Sequence, residues 1–121
     1  MHEFSLTDNL IDLACEEASR AGIARLDKII VQVGALSGIS IDSIEFAFGI
    51  LRDKSEITNT SDLVIERIPG SGVCTKCGKE IELDRLFLYC PYCETPTVNI
   101  TGGKEFIMKS LEGKSEGEND G

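Results

Sequence analysis

Two Cys-x-x-Cys pairs, Cys74 with Cys77 and Cys90 with Cys93, stand twelve residues apart in a chain of 121 residues. No other feature narrows the fold so far. Two intervening residues let the backbone curl until both sulfurs of a pair face one point. Four thiolates at about 2.3 Å from a common centre are what a structural, tetrahedral Zn²⁺ requires. Two pairs at this ribbon-like spacing are a strong zinc signal. Gly78 directly after the second cysteine suits the turn, which calls for a backbone conformation that glycine reaches cheaply. Pro91, between the third and fourth cysteines, stiffens the other loop. The competing uses are disulfides and a redox dithiol. The opening residues Met-His-Glu-Phe-Ser show neither a basic start nor an apolar run, so no secretory signal is expected. The expected compartment is then the reducing cytoplasm, where structural disulfides are rare. A thioredoxin-type site uses one pair at a helix start, not two facing pairs. Zinc is the expected occupant, and a closed four-sulfur site leaves no position for substrate, so its role is structural.

Composition excludes several classes. The net charge of −9 sets up a field that repels phosphate backbones, which speaks against nucleic-acid binding despite the ribbon-like cysteines. No apolar run approaches the roughly 20 residues that span a bilayer. No nucleophile–base constellation stands out and the sole histidine is at position 2, so no enzymatic activity is expected. The final stretch from Glu112 to Gly121 has no apolar residue and reads as a disordered acidic tail.

Periodicity supplies the elements. From Ser5 to Gly22, Leu6, Leu10, Leu13, Ala14, Ala18 and Ala21 recur at three- and four-residue steps, which predicts a helix stopped by Gly22. Ser5 and Asp8 stand at capping-box-like spacing. Leu26 to Leu36 is dense in β-branched residues and reads as a strand; apolar residues on both parities around Ile29 to Val31 predict cover on both faces. Asp42 and Glu45 read as the start of a second helix reaching about Lys54, with Ile44, Ala47, Phe48 and Leu51 as its stripe and Phe46 and Ile50 widening it. Asn59 to Asp62 mark a loop, and Leu63 to Ile68 a second strand. Ile81, Leu83, Leu86, Phe87 and Leu88 can form the small apolar cluster of the cysteine module, which is too short to hold a core without its ion. Lys104 to Leu111 reads as a third strand returning to the first sheet.

The expected architecture is α+β: two helices packed on a three-stranded sheet, with a zinc-ribbon module inserted. The expected domains are 1–69 completed by the strand 104–111, the zinc ribbon 70–103, and the tail 112–121. Gly70, Gly72, Gly102 and Gly103 give the links into the ribbon a hinge-like composition.

At the amino terminus, the α-amine of Met1 and the backbone and imidazole nitrogens of His2 can close adjacent five- and six-membered chelate rings on one metal. The Glu3 backbone nitrogen or an outside donor can supply a fourth corner. Nitrogen donors in a tetragonal plane favour Ni²⁺ or Cu²⁺. The start Met1-His2-Glu3-Phe4-Ser5-Leu6, the strand with Val33-Gly34-Ala35-Leu36-Ser37 and the double Cys-x-x-Cys before a terminal strand resemble the HypA/HybF family of hydrogenase nickel-incorporation proteins. The similarity covers nearly the whole chain except the acidic tail. It implies a nickel metallochaperone that acts with a HypB-type GTPase and delivers Ni²⁺ to the [NiFe]-hydrogenase large subunit; which hydrogenase, or a urease, receives the ion is left open. It implies a nickel site on Met1, His2 and Glu3 and a structural zinc on Cys74, Cys77, Cys90 and Cys93. Some relatives add a histidine near the zinc module; this chain has none there. A homodimer is left open. The alternative is a zinc-ribbon protein adaptor with no nickel role.

Overall fold

The computed structural model describes residues 2–83, 90–92 and 98–115, apart from the side chain of His2. Met1, Leu86, Phe87, Leu88, Cys93 and the end of the expected tail lie outside the described residues. Along the chain run α1 (His2–Arg20), β1 (Ile23–Gly34), α2 (Ile41–Leu51) with a 3₁₀ turn at Arg52–Lys54, β2 (Asp62–Ile68), β3 (Gly70–Cys74), β4 (Glu80–Leu83), β5 (Val98–Gly102) and β6 (Phe106–Ser115). They form two three-stranded sheets of order β2-β1-β6 and β4-β3-β5. This is the expected α+β architecture, and the last strand does return to the first sheet, beside β1.

Packing divides the chain into two compact units, Met1–Val31 with Ile39–Ile65 and Met108–Gly121, and Gln32–Gly38 with Glu66–Ile107. In the first, α1 packs against α2. Leu10, Ala14 and Ala18 are buried, as the pattern predicts, and Ile11, which the pattern did not include, is buried with them, while Ala21 of the expected stripe is exposed. Leu13, at 44% exposure, also sits off the stripe. The helix begins at His2, three residues before the expected start, so Ser5 is interior and its spacing to Asp8 is no cap. Gly22 ends it with φ 74°.

The start of α2 also differs from expectation. Ser40 is the N-cap, and its Oγ accepts from Ser43 N–H at 3.3 Å; Asp42 lies inside the first turn. Ile44, Ala47 and Phe48 are buried, while Phe46 is 71% and Ile50 52% exposed. At about 100° per residue, position 46 lies on the opposite face from 44 and 48, so hydrophobicity alone misplaces it. The stretch after α2 is closed by buried polar groups. Thr58 Oγ1 donates to Arg52 O (2.8 Å), Ser61 Oγ to Leu26 O (2.5 Å), and Leu26 N–H to Ile57 O (2.8 Å). Pairing these three donors avoids the cost of an unmade hydrogen bond, whereas Arg52 Nε and Asn59 Oδ1 in the same stretch are buried without a partner.

In β1, Ile29, Ile30 and Val31 are all buried, which bears out cover on both faces. β6 runs to Ser115, four residues into the stretch expected to be disordered from 112. Hydrophobicity does not hold this end. Its backbone lies against β1, so that a Cβ on Gly113 would come within 2.4 Å of Arg25 O.

The second unit is wider than the expected 70–103 because Leu36 belongs to its core, with Cys74, Ile81, Leu83, Cys90 and Val98. Its glycine links are not loose. Leu36 N–H donates to Gly103 O (2.6 Å), Gly34 N–H to Glu105 O (2.7 Å) and Ala35 N–H to Ile68 O (2.8 Å). A Cβ at Gly34 would fall 2.0 Å from Gly103 O, and one at Gly103, where φ is 100°, would fall 2.4 Å from Gly70 Cα. At Gly34, Gly70 and Gly103 the absent side chain permits backbone-to-backbone contact.

Candidate metal centres

The cysteine centre is built on a strand end and a turn. β3 pairs antiparallel with β4, with Gly70 opposite Leu83 and Val73 opposite Glu80, and with β5 on its other side. Cys74 ends β3. The chain then turns tightly: Gly78 N–H donates to Cys74 O (2.9 Å) and Cys74 N–H to Lys79 O (3.0 Å). Gly78 has φ 74°, the left-handed conformation expected of it. Inside the turn the amides of Lys76 and Cys77 both point at Cys74 Sγ, each at 3.4 Å. N–H groups aimed at a sulfur stabilise its thiolate form, which is the metal-binding form.

Cys90 brings its sulfur to the same place. The sulfurs of Cys74, Cys77 and Cys90 lie within 4.8 Å of one another, and Cys77 Sγ is 3.8 Å from Cys90 Sγ. A disulfide would need about 2.05 Å. In a tetrahedron with metal–sulfur bonds of about 2.3 Å the edge is about 3.8 Å. The donor set and spacing fit Zn²⁺. Cys74 (1%) and Cys90 (0%) are buried, whereas Cys77 is exposed. Cys93, the fourth expected ligand, lies outside the described residues. Cys15, half-buried in α1, is a free thiol apart from this cluster in sequence.

The structure does not describe Met1 or the His2 side chain, but it places His2 as the first residue of α1 and Glu3 in its first turn. The first N–H groups of a helix have no intrahelical acceptors. Glu3 is anchored. Its Oε2 accepts from the N–H of Ser40 at 3.1 Å. That bond, followed by one from its own N–H, holds the carboxyl below the usual 4.5. In a capping box the third helical residue would return a carboxylate to the N-cap amide. Here that residue is Ser43, and Glu3 of α1 supplies the carboxylate instead. The sequence hides this device because its two halves stand 37 residues apart. A groove of about 280 Å³ beside it is lined by Glu3, Phe4, Asp42, Ser43, Phe46 and Ala47. Among the described residues no helix is long and apolar enough to cross a membrane.

An α+β protein whose described residues gather three cysteine sulfurs at a spacing that can hold a metal is the class these features define. The comparisons give it a family. Residues 1–113 match the model of the family described as "Hydrogenase/urease nickel incorporation, metallochaperone, hypA". Among relatives, "Hydrogenase maturation factor HypA" of Geobacter metallireducens is 38% identical over 112 residues, covering 93% of this chain and 98% of that one. The protein of the same name from Rhizobium leguminosarum bv. viciae is 34% identical over 112 residues, with the same coverage. The solution structure of the Ni metallochaperone HypA from Helicobacter pylori superposes with a TM-score of 0.68 at 26% identity, covering 94% of this chain and 98% of that one. A second HypA solution structure gives a TM-score of 0.70 at 27% identity, with 96% and 98% covered. The chain belongs to the HypA family of nickel-incorporation metallochaperones.

Proposed function

We propose that this protein carries Ni²⁺ as cargo on its amino terminus and hands it to the [NiFe]-hydrogenase large subunit during maturation, acting with a HypB-type GTPase in the cytoplasm. The observation that carries the reading is the family match beginning at residue 1, over Met1-His2-Glu3 and on through the cysteines. The α-amine of Met1 and the backbone and imidazole nitrogens of His2 form the claw, completed by the Glu3 backbone nitrogen or by an outside donor. The Glu3 carboxylate is held by Ser40, so its part is to fix the direction in which the terminus leaves α1. A chain-end site lets a partner take the ion without unfolding the carrier.

Cys74, Cys77, Cys90 and Cys93 hold Zn²⁺ for structure. Zinc supplies four bonds that tie β3 and its turn to the second cysteine loop, and it takes no part in a reaction. The 3.8 Å sulfur spacing and the amides trained on Cys74 Sγ support this. Binding at the claw requires loss of protons from the amine and imidazole, with ordinary values of about 7.7–8.0 and about 6.5. Nickel affinity should therefore climb through neutral pH.

The test is equilibrium dialysis of zinc-loaded protein against Ni²⁺, with the chain either native-ended or extended ahead of Met1. Extension turns the amine into an amide and should abolish stoichiometric binding. Equal binding by both preparations would defeat the claw. Absence of nickel from both would favour the protein-adaptor role.

A further inference from the structure

One side-chain contact joins the two cysteine loops without touching the metal position. Lys79 follows Cys77 by two residues, and Tyr92 lies between Cys90 and Cys93. The Nζ of Lys79 sits 4.2 Å from the centroid of the Tyr92 ring, well within cation–π range. Tyr92 is 62% exposed, so burial of the ring does not account for its position.

The first loop is closed on itself by the Cys74–Lys79 and Gly78–Cys74 backbone bonds. Those bonds order one loop and do nothing to keep the second beside it. Of the described cysteines of the centre, Cys74 and Cys90 are buried and Cys77 is exposed. Among these three, Cys77 is therefore the one that a competitor for the metal can reach. Exchange there needs the loops to part, as one zinc–sulfur bond breaks, a competitor–zinc bond forms, and the freed thiolate takes a proton from water. No electrons change hands.

We propose that Lys79 and Tyr92 form a latch across the two cysteine loops that slows loss of metal from the cysteine centre. Both are positioning residues and neither is a ligand. The proposal rests on the four-sulfur zinc reading given above.

The test uses full-length, zinc-loaded protein and an excess of the chromogenic chelator pyridylazoresorcinol, with the rate of zinc release as readout. Tyr92→Leu and Lys79→Met should each release zinc roughly two- to five-fold faster, the range expected of an exposed cation–π pair. Tyr92→Phe and Lys79→Arg keep a ring face and a cation and should release at the wild-type rate. The double variant Lys79→Met/Tyr92→Leu should be no faster than the faster single one, because both changes remove the same contact. Cobalt-substituted samples should keep the four-sulfur charge-transfer spectrum throughout, which shows that the variants fold and retain the ligand set. Wild-type rates in both single variants, multiplicative effects in the double, or acceleration in Tyr92→Phe would overturn the latch while leaving zinc in place. A wild-type chain that holds no zinc would overturn the four-sulfur reading and the latch with it.

Discussion

In the unit that carries both helices, Ile11, Ala14, Ala18, Leu26, Ile29, Val31 and Ile44 have no exposed surface; in the cysteine-bearing unit, two of the six side chains in the buried cluster are cysteines. The first unit has the composition of an ordinary core, where each large aliphatic side chain contributes about 1.5–3 kcal/mol on burial. The second has Leu36, Ile81, Leu83 and Val98 to set against the entropy of ordering its loops, with Ile100 partly buried beside them. On the proposed reading, a small unit of this kind folds on its metal. On that reading the contrast separates the roles of the two ions. An ion that completes a core is a fixture, while an ion at the end of a helix that is already stable can be taken away at no cost to the fold.

The sharpest way to break this contrast is Cys90→Ser. On the proposed reading it removes a zinc ligand from the middle of a thin core. Amide exchange protection should be lost across β3, β4 and β5 and kept in α1 and α2. Protection unchanged in β3 would mean that the cysteine unit folds without its ion. Next in size is Gly103→Ala, which drives a methyl group into Gly70 at a φ of 100° and should cost about 3 kcal/mol or more by thermal or denaturant unfolding. Gly78→Ala has open space around the new carbon and should cost only about 1 kcal/mol, read as weakened zinc affinity.

Smaller effects are expected at the amino end. Because the Glu3 carboxyl titrates below 4.5 when folded, its contribution is present above that value and is lost as pH falls through the lowered one. The Ser40 amide should lose its protection relative to the intrinsic exchange rate in acid, and at neutral pH in Glu3→Ala. Glu3→Gln, which keeps an acceptor, should fall between that variant and the wild type. Smallest is Lys54→Met. Lys54 bridges Asp8 and Asp12 of α1, with Asp12 at 2.7 Å. Asp12 first and Asp8 second raise its ammonium above 10.5, so the link holds at neutral pH and disappears only as pH rises through the raised value. Its loss should lower Tm slightly, and molar salt should erase the difference.

Spacing made the cysteine cluster legible, because the first short repeat becomes a turn and Cys90 of the second brings its sulfur to the same place. β1 was legible for a similar reason, its apolar residues on both parities matching burial on both faces. What escaped the sequence depended on distant partners. The cap of α2 is Ser40 with Glu3, a pairing no local motif encodes. The end of β6 is polar and held by backbone against β1. Gly70 and Gly103 have the composition of a hinge and close backbone contacts, and only the closeness of their backbones distinguishes the two. Phe46 was misassigned because aromatic character was weighed above its angular position on the helix.

The most direct test is a crossed metal count on two native-ended variants, His2→Ala and Cys77→Ser, dialysed against both ions and analysed by plasma mass spectrometry. The account predicts that His2→Ala keeps one zinc and loses nickel, while Cys77→Ser loses zinc and still takes up nickel. Nickel retained by His2→Ala, or both metals lost together from either variant, would contradict it.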